Sequence, residues 1–154
     1  SRDFNPRSAY LLSKIVGEYL MNYSKLNFVI FRPHNIFGPE MGFSHVIPQL
    51  IKKFLINNNN KILIQNSNHK RTFCYIDFAI ELIINISHKK NSVKKIFNIG
   101  SPEKAVSIIK LATKIKKILN SKKKLSPSIV LHDNSPKKRK PDMTKGLNYT
   151  KKKT

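Results

Sequence analysis

Two short strand-like segments constrain this chain most. Phe28–Phe31 is a continuous apolar run, and KKIFNIG, ending at Gly100, reads as another buried strand. Such runs suit strands buried on both faces, as in parallel sheets covered by helices. The segments around them carry the helical period instead. Asn5-Pro6 caps and opens a first helix, and Leu12, Val16, Leu20 and Tyr23 fall on one stripe of it. FSHVIPQLIKKFLIN predicts a helix starting near Ser44, with Pro48 tolerated in or close to its first turn. FAIELIINISHK predicts a third helix, and Ile108, Leu111, Ile115 and Ile118 stripe a fourth. KILIQNSNHKRTFCYID predicts two strands around a short Asn/Ser turn, and SIVLHD alternates like a strand. KKRKPDMTKGLNY predicts a basic loop leading to a short helix from about Pro141 and Asp142. Alternating helices and buried strands predict an α/β fold. None of the five Gly builds a glycine-rich strand–turn–helix, and no acidic residue follows one to hold a ribose. By these residues alone, this is not a complete dinucleotide-binding domain.

Charge is the next constraint. Thirty Lys and Arg against eight Asp and Glu give a net +22, which normally suggests nucleic acid or an anionic membrane surface. Only five of the thirty are Arg, the better residue for gripping phosphate. Lys, Asn and Ile abound together, a composition that AT-rich codons produce without selection for a polyanion. The expectation is therefore no nucleic-acid partner. A single cysteine, Cys74, excludes an internal disulfide and fits a reducing cytoplasm. Between Phe73 and Tyr75 it reads as a small buried hydrophobe. The five His share no metal-ligand spacing, so no metal site is expected. No apolar run reaches membrane-spanning length. The chain opens at Ser1 with no secretory pattern before the first helix, which suggests a processed chain or a fragment.

The chemistry-bearing residues start in the first helix. Tyr10 and Lys14 stand four apart, one above the other on one face. A fixed positive charge beside a phenol favours the phenolate, making the pair a candidate general base. Taken alone, the pair reads rather as a core-facing Tyr beside a solvated Lys. After the Phe28–Phe31 run, Arg32-Pro33 and Gly38-Pro39 break the chain into a loop carrying His34 and Asn35. Ligands sit at the carboxyl ends of such strands, although Asn35 also suits a plain turn. Arg71 is either an anion clamp or a solvated Arg.

Taken in order, these motifs match a family. The chain resembles the C-terminal half of the extended short-chain dehydrogenase/reductases, the nucleotide-sugar epimerases and dehydratases. NPRSAYLLSKIVGEYL looks like the family's Tyr-x-x-x-Lys helix, and FRPHNIFGPEMG is similar to its Arg-Pro-x-Asn-x-Tyr-Gly-Pro loop. HVIPQLIKK looks like the helix over the nucleotide, and KRTFCYID resembles the Arg-Asp-Phe-x-Tyr-Val-Asp segment. FNIGSPE and KKRKPD match the late strand and the phosphate-facing basic turn.

The resemblance implies the C-terminal part of a Rossmann-like doubly wound domain plus a small α/β substrate-binding domain, with the glycine-rich N-terminal half absent. Residues 1–38 and 78–100 would belong to the NAD-binding domain, and 39–77 with 101–154 to the nucleotide-sugar part. Tyr10 would be the base at a sugar hydroxyl, and Lys14 would assist it and hold the nicotinamide ribose. Pro33 and His34 would face the nicotinamide. Asn35 would touch the sugar or its diphosphate, with Val46, Ile47 and Pro48 beside the nucleotide. Arg71 and Arg139 would hold the diphosphate and its ribose. The cofactor implied is NAD rather than NADP. The partners implied are a nucleotide sugar, as in cell-surface polysaccharide biosynthesis, and a second copy in a homodimer.

The activity implied is that of a UDP-glucose 4-epimerase-like enzyme. The alternatives are a nucleotide-sugar dehydratase or UDP-glucuronate decarboxylase and, outside the family, a basic nucleic-acid or anionic-surface module. Without a fingerprint, this stretch alone is expected to be inactive. Several positions depart from the family: Phe37 replaces the loop Tyr, Thr72 the Asp after the clamp Arg, and Phe78 a second Asp. Gln65, Ser67 and His69 replace two Gly and a Gln, and Asn148-Tyr149 a Gly-Trp.

Overall fold

The computed structural model describes residues 6–128 and 136–150. Helix α1 (Pro6–Tyr23) leads to β1 (Val29–Pro33) and β2 (Ile36–Phe37), then α2 (Val46–Ile56) and β3 (Lys61–Ile64). Strands β4 (Lys70–Arg71) and β5 (Cys74–Tyr75) precede α3 (Ile76–Ser87) and β6 (Lys95–Ile99). The chain continues through β7 (Val106–Ser107), α4 (Ile108–Ile118), β8 (Lys124–Pro127), β9 (Lys138–Arg139) and α5 (Thr144–Thr150). This is an α/β fold. Strand β1 runs parallel to β6, with Val29 opposite Lys95 and Pro33 opposite Ile99. Parallel pairs also join β2 to β5 and β3 to β8.

Apolar burial gathers into two cores. The first joins Cys74, Ala79, Leu82, Ile86, Phe97, Ile99 and Met143. It is built by α3 and α5 packing on β6. The second joins Leu50 and Phe54 of α2, Ile62 and Ile64 of β3, and Ile108, Leu111, Ala112 and Ile115 of α4. Each fully buried Leu, Ile or Phe contributes about 1.5–3 kcal/mol, so the seven such positions here suffice to hold α2 and α4 against β3. Lys123 clips this core shut: its Nζ donates to the carbonyls of Phe54, at 2.6 Å, and of Asn57, at the open C-terminal end of α2. Residues of α5 lie in the first core, where Tyr149 Oη donates to Asn91 O at 3.0 Å and accepts from Lys95 Nζ.

Several expectations need correction. Strand β1 is only half-buried, not buried on both faces, because among the described residues it pairs with β6 alone. The apolar run on β6 is better covered, with Phe97 and Ile99 fully buried. The stretch from Lys61 to Asp77 is no strand pair around a turn. His69 N does donate to Asn66 O at 2.8 Å across an Asn/Ser turn, but the flanking strands separate. Strand β3 must bury Ile62 and Ile64 in the second core and pairs with β8, whereas β4 joins β7 and β9 and β5 joins β2. Helix α2 starts at Val46 and α5 at Thr144, each about two residues later than expected. At α5, the Asp142 side chain takes the N–H of Thr144 at 2.9 Å, so Asp142 caps rather than joins the helix. The SIVLHD strand falls almost wholly at 129–135, outside the described residues.

Candidate active site

The end of β1 is stitched in place by the backbone. His34 N donates to Ile99 O at 2.8 Å, and Cys74 N to Asn35 O at 3.1 Å. Asn35 takes φ 46°, in the left-handed region that Asn tolerates better than most side chains. Its Nδ2 donates to Thr72 O at 2.9 Å, so the amide ties the β1–β2 corner to the β4–β5 connection. Asn35 is therefore both a turn residue and a wall of the pocket described next. Gly100 presses against this corner: a Cβ there would meet Pro141 Cγ at 2.8 Å and His34 Cβ at 3.3 Å. Only glycine lets His34 and the Pro141 turn approach this closely.

Beside that corner lies a pocket of about 390 Å³ between α2, β4 and the loops after β1 and β3. Asn35, Val46, Ile47 and Arg71, all expected from the sequence, line it. Pro48 is buried in the first turn of α2 and does not line it. Sequence reasoning missed Gln49 and Lys53, which line it too. Their signal was available, since they follow Val46 at helical spacing on the same face. Among the described residues, the lining contains no Asp or Glu.

Arg71 and Arg139 are far apart in the chain and adjacent in space. Strand β4 runs parallel to β9, placing Arg71 opposite Arg139 and Lys70 opposite Lys138. Neighbouring strands lie about 4.8 Å apart, and like charges directly opposite repel. A ladder that holds two guanidiniums side by side is therefore a ready receptor for an anion such as a diphosphate. Burial, then Arg139, lowers the Arg71 pKa, and Arg71 Nη1 donates to Lys70 O at 2.8 Å. His34 feels the same pair: burial first, then Arg139 and Arg71, hold its imidazole below the ordinary histidine range. Burial pushes the Cys74 thiol up, as expected for a packing cysteine.

Tyr10 and Lys14 form their pair away from this pocket. Lys14 Nζ sits 5.2 Å from the Tyr10 ring centroid, and Tyr10 is 65% exposed. Neither residue lines the pocket, nor do Pro33, His34 and Arg139. One turn on, a Cβ at Gly17 would meet nothing within 4 Å, so the face beside the pair is open. Helix α1 is tied to β1 by a two-pronged ion pair, Arg32 Nε donating to Glu18 Oε1 at 2.7 Å and Arg32 Nη2 to Glu18 Oε2. Among the described residues no three His, Cys, Asp or Glu gather as metal ligands, and no helix is long and apolar enough to cross a membrane.

The strand-end Asn corner and the arginine ladder thus stand beside one pocket on an α/β fold, with the Tyr–Lys pair on a helix outside it. The model of the NAD dependent epimerase/dehydratase family matches residues 1–100, and the chain belongs to that family. It is 35% identical over 152 residues to the bifunctional polymyxin resistance protein ArnA of Wigglesworthia glossinidia brevipalpis, covering 92% of this chain and 22% of that protein. It is 30% identical to the dTDP-D-glucose 4,6-dehydratase of Dictyostelium discoideum, covering 72% of this chain and 26% of the relative. Among solved structures, the UDP-glucuronic acid 4-epimerase of Bacillus cereus, in complex with UDP-glucuronic acid and NAD, superposes with a TM-score of 0.76 at 23% identity, covering 90% of this chain and 44% of that one. The UDP-glucose 4-epimerase of Thermotoga maritima, with UDP-glucose, gives 0.75 at 19%, covering 89% and 45%. The chain thus spans less than half the length of each protein it matches here.

Proposed function

We propose that these residues form the substrate-side half of an NAD-dependent enzyme acting on a nucleotide sugar, with 4-epimerisation of a UDP-sugar as the leading reaction. The observation that carries the reading is the register of Arg71 opposite Arg139, beside a pocket walled by Asn35, Val46 and Ile47. Two adjacent guanidiniums fit the two charges of a diphosphate diester, and the half-apolar pocket fits the nucleoside that follows it. Tyr10 is the base that takes a proton from a sugar hydroxyl, and Lys14 stands beside it to stabilise the phenolate and hold a ribose. NAD, when bound beside this pair, would supply the hydride acceptor and donor for the sugar carbon. Pro33 and His34 lie at the β1 end that faces the nicotinamide, and Pro48 backs the nucleotide-binding turn of α2. The first core, Cys74 and Met143 apart, then belongs with the NAD-binding segments 1–38 and 78–100, and the second with the nucleotide-sugar segments 39–77 and 101–154. A homodimer and a cytoplasmic setting accompany the reading, as does inactivity of this stretch by itself. The match to a dTDP-D-glucose 4,6-dehydratase over 72% of the chain favours dehydration as the second reading.

Arg139→Ala tests the anion ladder. Charged hydrogen bonds contribute about 1.5–3 kcal/mol, so affinity for UDP-glucose in calorimetry falls about tenfold to a hundredfold. Undiminished binding removes the diphosphate from this ladder. Tight DNA binding that weakens steeply with salt, with no nucleotide-sugar binding, transfers the site to nucleic acid.

A further inference from the structure

We propose that His34 is a third, ionisable member of the Arg71–Arg139 anion site, a positioning imidazole that takes up a proton when a diphosphate binds there. The inference rests on the nucleotide-sugar reading and adds a residue to it. Both ring nitrogens of His34 are shielded from solvent, and among the described residues neither has a hydrogen-bond partner. A buried ring with two unsatisfied nitrogens is costly in a finished fold and calls for an explanation. The backbone leaves it no retreat. Its N–H is bonded to Ile99 O, and Gly100 and Pro141 pack against it.

The charges around His34 come from each element that packs on it. From β4 and β9 come Arg71 and Arg139. Asn35, next to His34, bonds Thr72 O beside Arg71, and Gly100 lies against both His34 and Pro141, two residues past Arg139. Both guanidinium charges disfavour the imidazolium. Lys70 and Lys138, next to them, alternate to the other face of the same ladder. On its own strand, Arg32 is paired with Glu18. By the Pro141 turn, Asp142 is engaged by Thr144 N, and Lys140 Nζ donates to Pro102 O at 3.0 Å. On the β6 side, Gly100 and Ser101 bring no charge. The ring therefore answers chiefly to the two guanidiniums. With the ladder empty they oppose an imidazolium; an anion between them cancels that opposition and adds an attraction of its own. Anion binding then raises the proton affinity of His34, and by linkage a lower pH tightens anion binding.

The test uses the intact protein and UDP-glucose or UDP-glucuronic acid, whose diphosphate diester keeps its charge between pH 5 and 9. Calorimetry in buffers of different ionisation enthalpy should show uptake of up to one proton per site under mildly acidic conditions. Affinity should be about threefold to tenfold higher at pH 5.5 than at pH 8, since one pKa unit corresponds to tenfold. His34→Phe should abolish both effects, whatever its affinity at pH 8. His69, a pocket residue whose Nδ1 is also buried without a partner among the described residues, is the control, and His69→Phe should keep the uptake. If His34→Phe fails to fold, ring nitrogen shifts of the wild type, titrated free and bound, read the same quantity. An identical His34 titration in both states, or uptake that survives His34→Phe, overturns the inference while leaving the anion ladder standing. Failure of either sugar nucleotide to bind at any pH overturns both.

Discussion

Helices α1 and α4 carry the same kind of apolar stripe and meet opposite fates. On α4, Ile108, Leu111, Ala112 and Ile115 are buried between α2, β3 and β8. On α1, Leu12 and Leu20 are 60% and 64% exposed, and Val16 and Tyr23 are exposed with them. The period of a sequence states which face of a helix needs cover. It does not state whether the covering surface lies in the same stretch of chain. The helix bearing Tyr10 and Lys14 is the uncovered one, held to the body by Arg32 and Glu18. In the proposed enzyme, the catalytic pair thus stands where two halves of a site meet, while α4 serves only to keep the sugar-nucleotide pocket in shape.

The contrast breaks most sharply on catalysis. In a protein that joins these residues to a glycine-rich dinucleotide turn, Tyr10→Phe should lower kcat about a thousandfold, within the range for loss of a general base. The affinity for UDP-glucose should stay within about threefold, because the phenol does not line the pocket. A Phe variant with near-normal turnover would show that α1 carries no base and is as purely structural as α4. On the α4 side, Leu111→Ala should cost about 2–4 kcal/mol in urea unfolding, the range for truncating a packed core Leu. A loss below 1 kcal/mol would mean that the second core is looser than its burial indicates.

What was legible in the sequence follows the same division. Local pattern sufficed for the α1, α3 and α4 helices and for the strand ending at Gly100, because each announces itself within a dozen residues. It failed for the Lys61–Asp77 stretch. There the Asn66 turn was correctly placed, but the partners of β3 and β4 lie beyond residue 105, and no local period reports them. The pairing of Arg71 with Arg139 is equally non-local: neither residue distinguishes itself from a solvated Arg until the β4–β9 ladder places them side by side. Family resemblance supplied both as candidates. His34 marks the opposite case: expected at the nicotinamide, it has both ring nitrogens buried without a partner among the described residues, which no local pattern reports.

A smaller effect sharpens how α1 is attached. Arg32 holds the Glu18 carboxyl below the usual carboxylate range through its hydrogen bonds, against a minor opposing effect of burial. A depressed carboxylate contributes stability above the unfolded pKa, about 4.3 for Glu, and loses it as pH falls through the lower folded value. With the Arg32 side chain 54% exposed, solvent screening limits the pair to at most about 1 kcal/mol. Glu18→Gln should therefore lower Tm slightly at pH 7 and leave it unchanged near pH 2, where wild-type and variant are both uncharged at this position. An equal gap at both pH values would assign the loss to packing instead of charge.

The smallest effect is the most direct test of the opening contrast. Leu20→Ala on α1 removes as many atoms as Leu111→Ala on α4, yet Leu20 makes no buried contact to lose. In urea unfolding of these residues alone its cost should stay within about 0.5 kcal/mol, the usual range for surface substitutions. Alanine's better helix propensity offsets part even of that. In the protein that includes the glycine-rich half, the same substitution should become a core truncation costing about 2 kcal/mol or more. Equal costs in the two settings would mean that α1 stays uncovered in both, and the catalytic pair would then lack the second wall that the proposed chemistry needs.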